Sequence, residues 1–326
     1  MAQSTAIGPV NISAIGKSAT AAITLPNNTS LPARRSLSVS SHELRRLTAM
    51  AVLALSLAAC QSSPRPELQA AAQVSPTFAM PVLGAAEERG HSALVVDVAT
   101  GAVLFDSDSE AVRYPASLTK MMVLYMAFEE IAAGRLSLDE GMPVSAEAAS
   151  RPPSRLGLAA GDRLLVRDAI AALAVKSAND VAVVMAERLG GSEAAFASAM
   201  TAKARALGMS RTRFVNASGL PDERQVTTAR DMAILGRALK ARFPQYSSAF
   251  RARELIYGGK RYEATNKLLG AVPGVDGIKT GYIRISGYNI VASAQRGGRQ
   301  LIVVVMGGES QRARDVEVAS LMEQYF

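Results

Sequence analysis

Strand-type segments rich in β-branched residues sit at the two ends of the body of this chain, and helix-type segments fill the middle. Ala93-Leu94-Val95-Val96-Asp97-Val98 and Ala102-Val103-Leu104-Phe105 flank the turn Thr100-Gly101 and read as a hairpin. Near the other end, Tyr288 to Ala294 and Leu301 to Met306 read as neighbouring strands joined at Arg296-Gly297-Gly298. Between them the apolar period lengthens to that of helices. One helix begins at Ser117 and ends near Gly134; others span Val166 to Val175, Val181 to Leu189 and Glu193 to Leu207. Thr228 with Asp231 forms a capping pair that opens another, running to about Arg242 before Pro244. Residues 135 to 165, punctuated by Pro143, Pro152-Pro153 and Gly161, read as loop, and Arg312 to Phe326 reads as a closing amphipathic helix. Strands at both ends can share a sheet only if the ends meet. The expected fold is therefore one α+β domain, with an antiparallel sheet joining both chain ends and a helical lobe packed on it.

The front of the chain is of another kind. Its first forty residues are rich in Ala, Ser, Thr and Asn and show no sustained period. Arg45-Arg46 then precede an uncharged run from Leu47 to Ala59, which has the layout of a secretory signal and is short for a membrane span. Leu57-Ala58-Ala59-Cys60 resembles the lipobox of bacterial lipoproteins, which implies that Cys60 is lipidated after cleavage. Residues 1–59 are thus expected to be a leader, residues 60–90 a flexible tether, and residues 91–326 the folded domain. Cys60 is the single cysteine, so no intramolecular disulfide can form. The leader also carries half of the +8 net charge, holding Lys17, Arg34, Arg35, Arg45 and Arg46 against Glu43. With that removed, and with no basic run interleaved with aromatics, a nucleic-acid partner is not expected.

Much chemistry is excluded by composition. After the leader the chain has one histidine, His91, so a His/Cys zinc site is not expected, and no Walker or Rossmann fingerprint is present. Three motifs remain. Ser117-Leu118-Thr119-Lys120 follows Pro115-Ala116, and residues three apart on a helix share a face, so the hydroxyl and the amine can meet. A serine becomes a nucleophile when a base takes its proton, and a lysine can do so once burial or a nearby cation lowers its pKa. Ser177-Ala178-Asn179 follows at a helix–helix junction. Lys279-Thr280-Gly281 comes third, just before the strand from Tyr288.

This ordered set resembles the penicillin-recognising serine enzymes. The flanking residues sharpen the likeness: Pro115 to Met122, Lys176 to Ala182, Leu207-Gly208-Met209, Phe214 to Leu220 and Val275 to Tyr282 are similar to segments of the low-molecular-mass D-alanyl-D-alanine carboxypeptidases. The resemblance implies a β-lactamase/transpeptidase-like fold, no cofactor, and peptidoglycan stem peptides as substrate with β-lactams as inhibitors. It makes Ser117 the nucleophile, Lys120 its base and Ser177 a proton relay to the leaving amine. Asn179 would hold Lys120 and the substrate amide, and Lys279 and Thr280 the terminal carboxylate. Gly281 would permit close backbone approach, and the backbone N–H groups of Ser117 and Tyr282 would form an oxyanion hole. Lys279 near Lys120 would favour the neutral amine. A D,D-endopeptidase, a β-lactamase and a catalytically idle wall-peptide module are the alternatives.

The chain departs from the pattern at Ile283, where the family usually has threonine. With 45 residues after Gly281, the second β-rich domain and amphipathic anchor of many members are not expected in this sequence. A lipid on Cys60 would anchor such an exported protein to the membrane on its periplasmic side. The nearest imitation of the glutamate that some β-lactamases use for deacylation, Glu263-Ala264-Thr265-Asn266, is one residue short in spacing.

Overall fold

The computed structural model describes residues 90–326; the leader, the tether before residue 90 and Cys60 lie outside the described residues. The chain enters through β1 (Ser92–Asp97) and β2 (Val103–Ser107), then a 3-10 turn over Ala116–Thr119 that runs straight into α1 (Lys120–Ala132). The helical lobe continues through β3 (Gly141–Pro143), α2 (Ala146–Ala149), β4 (Arg163–Leu165), α3 (Val166–Val175), α4 (Asn179–Gly190), α5 (Glu193–Ala206) and α6 (Ala229–Arg242). After α7 (Ser247–Arg251) come the hairpin β5 (Glu254–Tyr257) and β6 (Lys260–Glu263), the strands β7 (Val275–Ile283), β8 (Gly287–Arg296) and β9 (Arg299–Gly308), and α8 (Gln311–Tyr325). Five strands form one antiparallel sheet in the order β2-β1-β9-β8-β7. The two ends of the described residues do meet, because β1 pairs with β9.

The composition of β9 follows from its place at the centre. Side chains alternate between sheet faces. Ile302, Val304 and Met306 join Leu94 and Val96 in the core beneath the helical lobe. Leu301, Val303 and Val305 join Ala93 and Val95 against Val318, Leu321 and Met322 of α8. A strand covered on both faces has no use for a polar face, so residues 301–306 are apolar throughout. Each such aliphatic side chain contributes about 1.5–3 kcal/mol through burial.

Helix α1 runs through the middle of the lobe, with Lys120 to Tyr125, Ala127 and Phe128 all buried. Its far end is gripped by aromatic rings. Phe128 stacks on Tyr246 at 4.3 Å between centroids, and Tyr125 meets Phe243 edge-on at 5.2 Å. That grip leaves the N-terminal end of α1 fixed in position.

Three details differ from the sequence expectation. Ser117 lies on the 3-10 turn and not on the α-helix, which starts at Lys120. Residues 135–165 are not uniform loop: Met142 pairs with Leu164 between β3 and β4, and α2 lies between them. These elements are too short to show a period. Lys279-Thr280-Gly281 does precede the strand of Tyr288, but it also lies inside a strand of its own, β7, whose glycine and polar residues hide the usual strand signature.

Because Leu94 is fully buried beneath the lobe, Leu94→Ala should lower stability by about 2–5 kcal/mol. Urea unfolding would report this as an earlier midpoint with the slope retained; an unmoved midpoint would contradict the packing described.

Candidate active site

The turn that carries Ser117 is held from three sides. Asn289 on β8 donates its amide Nδ2 to Tyr114 O at 2.9 Å and to Pro115 O at 3.4 Å, while its Oδ1 accepts from Gly307 N at 2.9 Å. Two glycines let neighbouring backbone come close. A Cβ on Gly219 would lie 2.0 Å from Ala116 O, and one on Gly281 would lie 3.0 Å from Ser117 N and 3.1 Å from Pro115 O. Gly219 also has φ of +80°, a conformation that side chains disfavour. The edge strand β7 therefore abuts the backbone of the serine.

Lys120 is fully buried, and its Nζ is surrounded by three oxygens. It lies 3.1 Å from Ser117 Oγ and 2.8 Å from Asn179 Oδ1, and it makes a short contact to Ser218 O. Burial pushes the amine well below the usual lysine value, and the charge of Lys279 pushes it further in the same direction. Asp180 and Glu193 oppose the shift. A neutral amine keeps two N–H donors and one lone pair. Asn179 Oδ1 and Ser218 O are acceptors only and take the two N–H groups. The lone pair is left for the Ser117 hydroxyl, which then donates to Nζ. This is the arrangement a general base requires.

The second motif sits where α3 gives way to α4. Ser177 has φ of +61°, and its buried Oγ has no hydrogen-bond partner. Asn179 faces Lys120 with its oxygen and donates Nδ2 to Pro152 O at 3.0 Å, so its amide orientation is set from both sides. In the third motif Lys279 is buried and donates to Thr280 O at 2.9 Å. Burial, aided by the charge of Arg314, lowers the Lys279 amine to about 7. Thr280 Oγ1 donates to Thr265 Oγ1 at 2.8 Å. Tyr282 is half exposed, with its ring 4.4 Å from that of Tyr288.

Ser117, Lys120 and Asn179 are thus in direct contact, Gly281 packs on Ser117, and Lys279 acts on Lys120 through its charge. Ser177 shares the junction with Asn179, two residues away. Ser218 and Gly219 lie in the stretch Phe214 to Leu220, and Asn289 in the strand from Tyr288, but the sequence gives none of them a place in the site. A backbone carbonyl has no residue-type signature, and an asparagine inside a strand reads as an exposed polar residue. Among the described residues no group of three His, Cys, Asp or Glu side chains could hold a metal ion.

The D-alanyl-D-alanine carboxypeptidase family matches residues 80–310. The chain is 32% identical over 239 residues to the D-alanyl-D-alanine carboxypeptidase DacF of Bacillus subtilis, a match that covers 72% of this chain and 61% of that protein. It is 35% identical over 239 residues to DacA of Escherichia coli, covering 71% and 59%. It therefore spans about three fifths of the length of these relatives. Among solved structures it is similar to the D-alanyl-D-alanine carboxypeptidase DacD from Francisella tularensis, with a TM-score of 0.70, 29% identity, and 82% and 73% of the two chains covered. Another is penicillin-binding protein D2 of Listeria monocytogenes in its ampicillin-bound form, with a TM-score of 0.63, 31% identity, and 71% and 95% covered.

A methyl group at position 281 would press on Ser117 N and Pro115 O, which would have to give by a few tenths of an ångström. Gly281→Ala should slow labelling of Ser117 by a fluorescent penicillin, by less than the roughly 100-fold of a misplacement near 1 Å. Labelling at the wild-type rate would mean that the close approach is incidental.

Proposed function

Given that the chain belongs to the D-alanyl-D-alanine carboxypeptidase family of serine peptidases, we propose that it removes the terminal D-alanine of peptidoglycan stem peptides through an acyl-enzyme on Ser117. The observation that carries this reading is the fully buried Lys120 amine, 3.1 Å from Ser117 Oγ and held well below the usual lysine value by burial. In the first step Ser117 Oγ attacks the carbonyl between the two D-alanines while its proton passes to Lys120 Nζ. The oxyanion is received by the backbone N–H groups of Ser117 and Tyr282, and losing one such donor typically costs about 3 kcal/mol of transition-state stabilisation. The C–N bond then breaks, and the leaving amine takes a proton delivered through the otherwise unpartnered Ser177 hydroxyl. Water hydrolyses the ester, with Lys120 again as base, and returns Ser117.

Lys279 and Thr280 hold the terminal carboxylate of the substrate. With its amine lowered to about 7, Lys279 is a mixture of charged and neutral forms near neutrality, and an arriving carboxylate favours the charged one. The one glutamate that imitates a β-lactamase deacylation residue, Glu263, is exposed and bound to Lys267 at 2.8 Å, which does not favour the β-lactamase alternative.

Penicillin should therefore acylate Ser117 and leave slowly, over minutes or longer, while a D-Ala-D-Ala peptide turns over with release of D-alanine. Mass spectrometry of the digested adduct and a D-alanine assay on one sample measure both. Rapid repeated hydrolysis of penicillin without D-alanine release would make the protein a β-lactamase. Covalent labelling without any peptide turnover would leave a binding module.

Among the described residues no helix is long and apolar enough to cross a membrane. The proposed anchor is lipid on Cys60, for which the support is Leu57-Ala58-Ala59-Cys60 after an apolar run. Two or more acyl chains suffice for stable anchoring. Cys60→Ser should abolish the lipid mass and move the protein out of the membrane fraction unless the uncleaved leader retains it. An identical mature mass in wild type and variant, apart from the substituted atom, would count decisively against lipidation.

A further inference from the structure

Residues Pro152 to Leu158 form a strap across the N-terminal end of α4, and every tie it makes there falls on residues 176–180. Ser154 Oγ donates to Lys176 O at 3.0 Å, Asn179 N donates to Ser154 O at 2.6 Å, and Asn179 Nδ2 donates to Pro152 O at 3.0 Å. The next three strap residues direct their backbone N–H groups at one side chain. Leu156 N donates to Asp180 Oδ1 at 3.1 Å, and Gly157 N and Leu158 N donate to Oδ2 at 2.8 and 3.3 Å. Val181 N also donates to Oδ1, at 2.9 Å. Asp180 is fully buried and stands in the first turn of α4, where the positive end of the helix dipole favours a carboxylate.

We propose that Asp180 is a positioning residue, whose carboxylate clamps the strap so that Pro152 O and Ser154 O fix Asn179, and Asn179 Oδ1 in turn fixes Lys120 against Ser117. The proposal rests on the acyl-serine reading above. Removing the carboxylate frees the strap, lets the Asn179 amide rotate, and takes away one of the two acceptors that keep the Lys120 lone pair aimed at the hydroxyl. Asparagine would be a poor substitute, because its amide N–H₂ would face backbone donors.

The same carboxylate has an electrostatic effect separable from the mechanical one. The charges acting on Lys120 are Lys279 on β7, which favours the neutral amine, and Asp180 on α4 and Glu193 on α5, which favour the charged one. On its other side Asp180 acts, with Asp168 and Asp162, on the phenol of Tyr257 in β5. Loss of the Asp180 charge leaves Lys120 easier to deprotonate. The base then stays neutral to lower pH, so the acid limb of acylation moves down while the rate at its plateau falls.

The test is the rate of acylation by a fluorescent penicillin, measured from acid to neutral pH on wild type and three full-length variants. Asp180→Asn should acylate about 100-fold more slowly at the plateau, with its acid limb displaced to lower pH. Asp231→Asn is the comparator. Asp231 is likewise a buried carboxylate in the first turn of a helix, accepting from Arg211 N at 2.9 Å and Thr212 Oγ1 at 2.6 Å, and it is not among the charges that act on Lys120. Its loss should weaken the fold without moving the limb. Ser154→Ala, which removes one tie and no charge, should acylate more slowly with the limb in place, and it serves where Asp180→Asn fails to fold. Wild-type acylation in folded Asp180→Asn, or in Ser154→Ala, would overturn the clamp, as would an equal limb shift in Asp231→Asn. A wild-type protein that penicillin does not label would instead overturn the acyl-serine reading beneath it.

Discussion

A lysine amine held out of water is the condition on which the rest of this site depends. Charging an amine in a buried place is expensive, so burial lowers its hold on the proton and suits it to the proposed role of base. Full burial of Lys120 is therefore part of the chemistry as well as of the packing. The surrounding acceptors are chosen to suit a neutral amine: an amide oxygen from Asn179 and a backbone carbonyl from Ser218 satisfy two N–H groups without bringing a charge into contact. A carboxylate in either place would form an ion pair and restore the proton. The nearby carboxylate, Asp180, instead spends its oxygens on backbone N–H groups.

The fold supplies this environment by joining two distant parts of the chain. The sheet places β7, the edge strand, beside the turn of Ser117, and β8 reaches that turn through Asn289. The lobe surrounds α1 and fixes its far end with aromatic rings, so Lys120 projects from a rigid helix. Gly219 and Gly281 then set how near the flanking backbones can come. The distance of a few ångströms between Ser117, Lys120 and the edge strand is thus decided by tertiary packing across the described domain.

Much of this was legible in the sequence. The i, i+3 spacing of Ser117 and Lys120 already brought hydroxyl and amine together, and the 3-10 turn beneath them strengthens the point, since residues three apart eclipse there. The joining of both chain ends in one antiparallel sheet followed from where the strand-type segments lie. What could not be read were contacts made through backbone atoms: Ser218 O to Lys120, and the strap N–H groups to Asp180. Such contacts depend on loop conformation and leave no mark in residue type. Strand β7 was hidden for a related reason. Its Gly277, Lys279, Thr280 and Gly281 are chosen for function and close approach, and they overrule the propensity that would have marked the strand.

In the proposed mechanism Lys120 is uncharged when it meets the serine. The most direct measurement is an NMR titration of the folded protein carrying isotope-labelled lysine, with the Lys120 side-chain signal assigned by its loss in Lys120→Arg. This signal should titrate well below the ordinary lysine value of 10.5, apart from the bulk of the lysines. A Lys120 signal that stays protonated up to that ordinary value would contradict the mechanism.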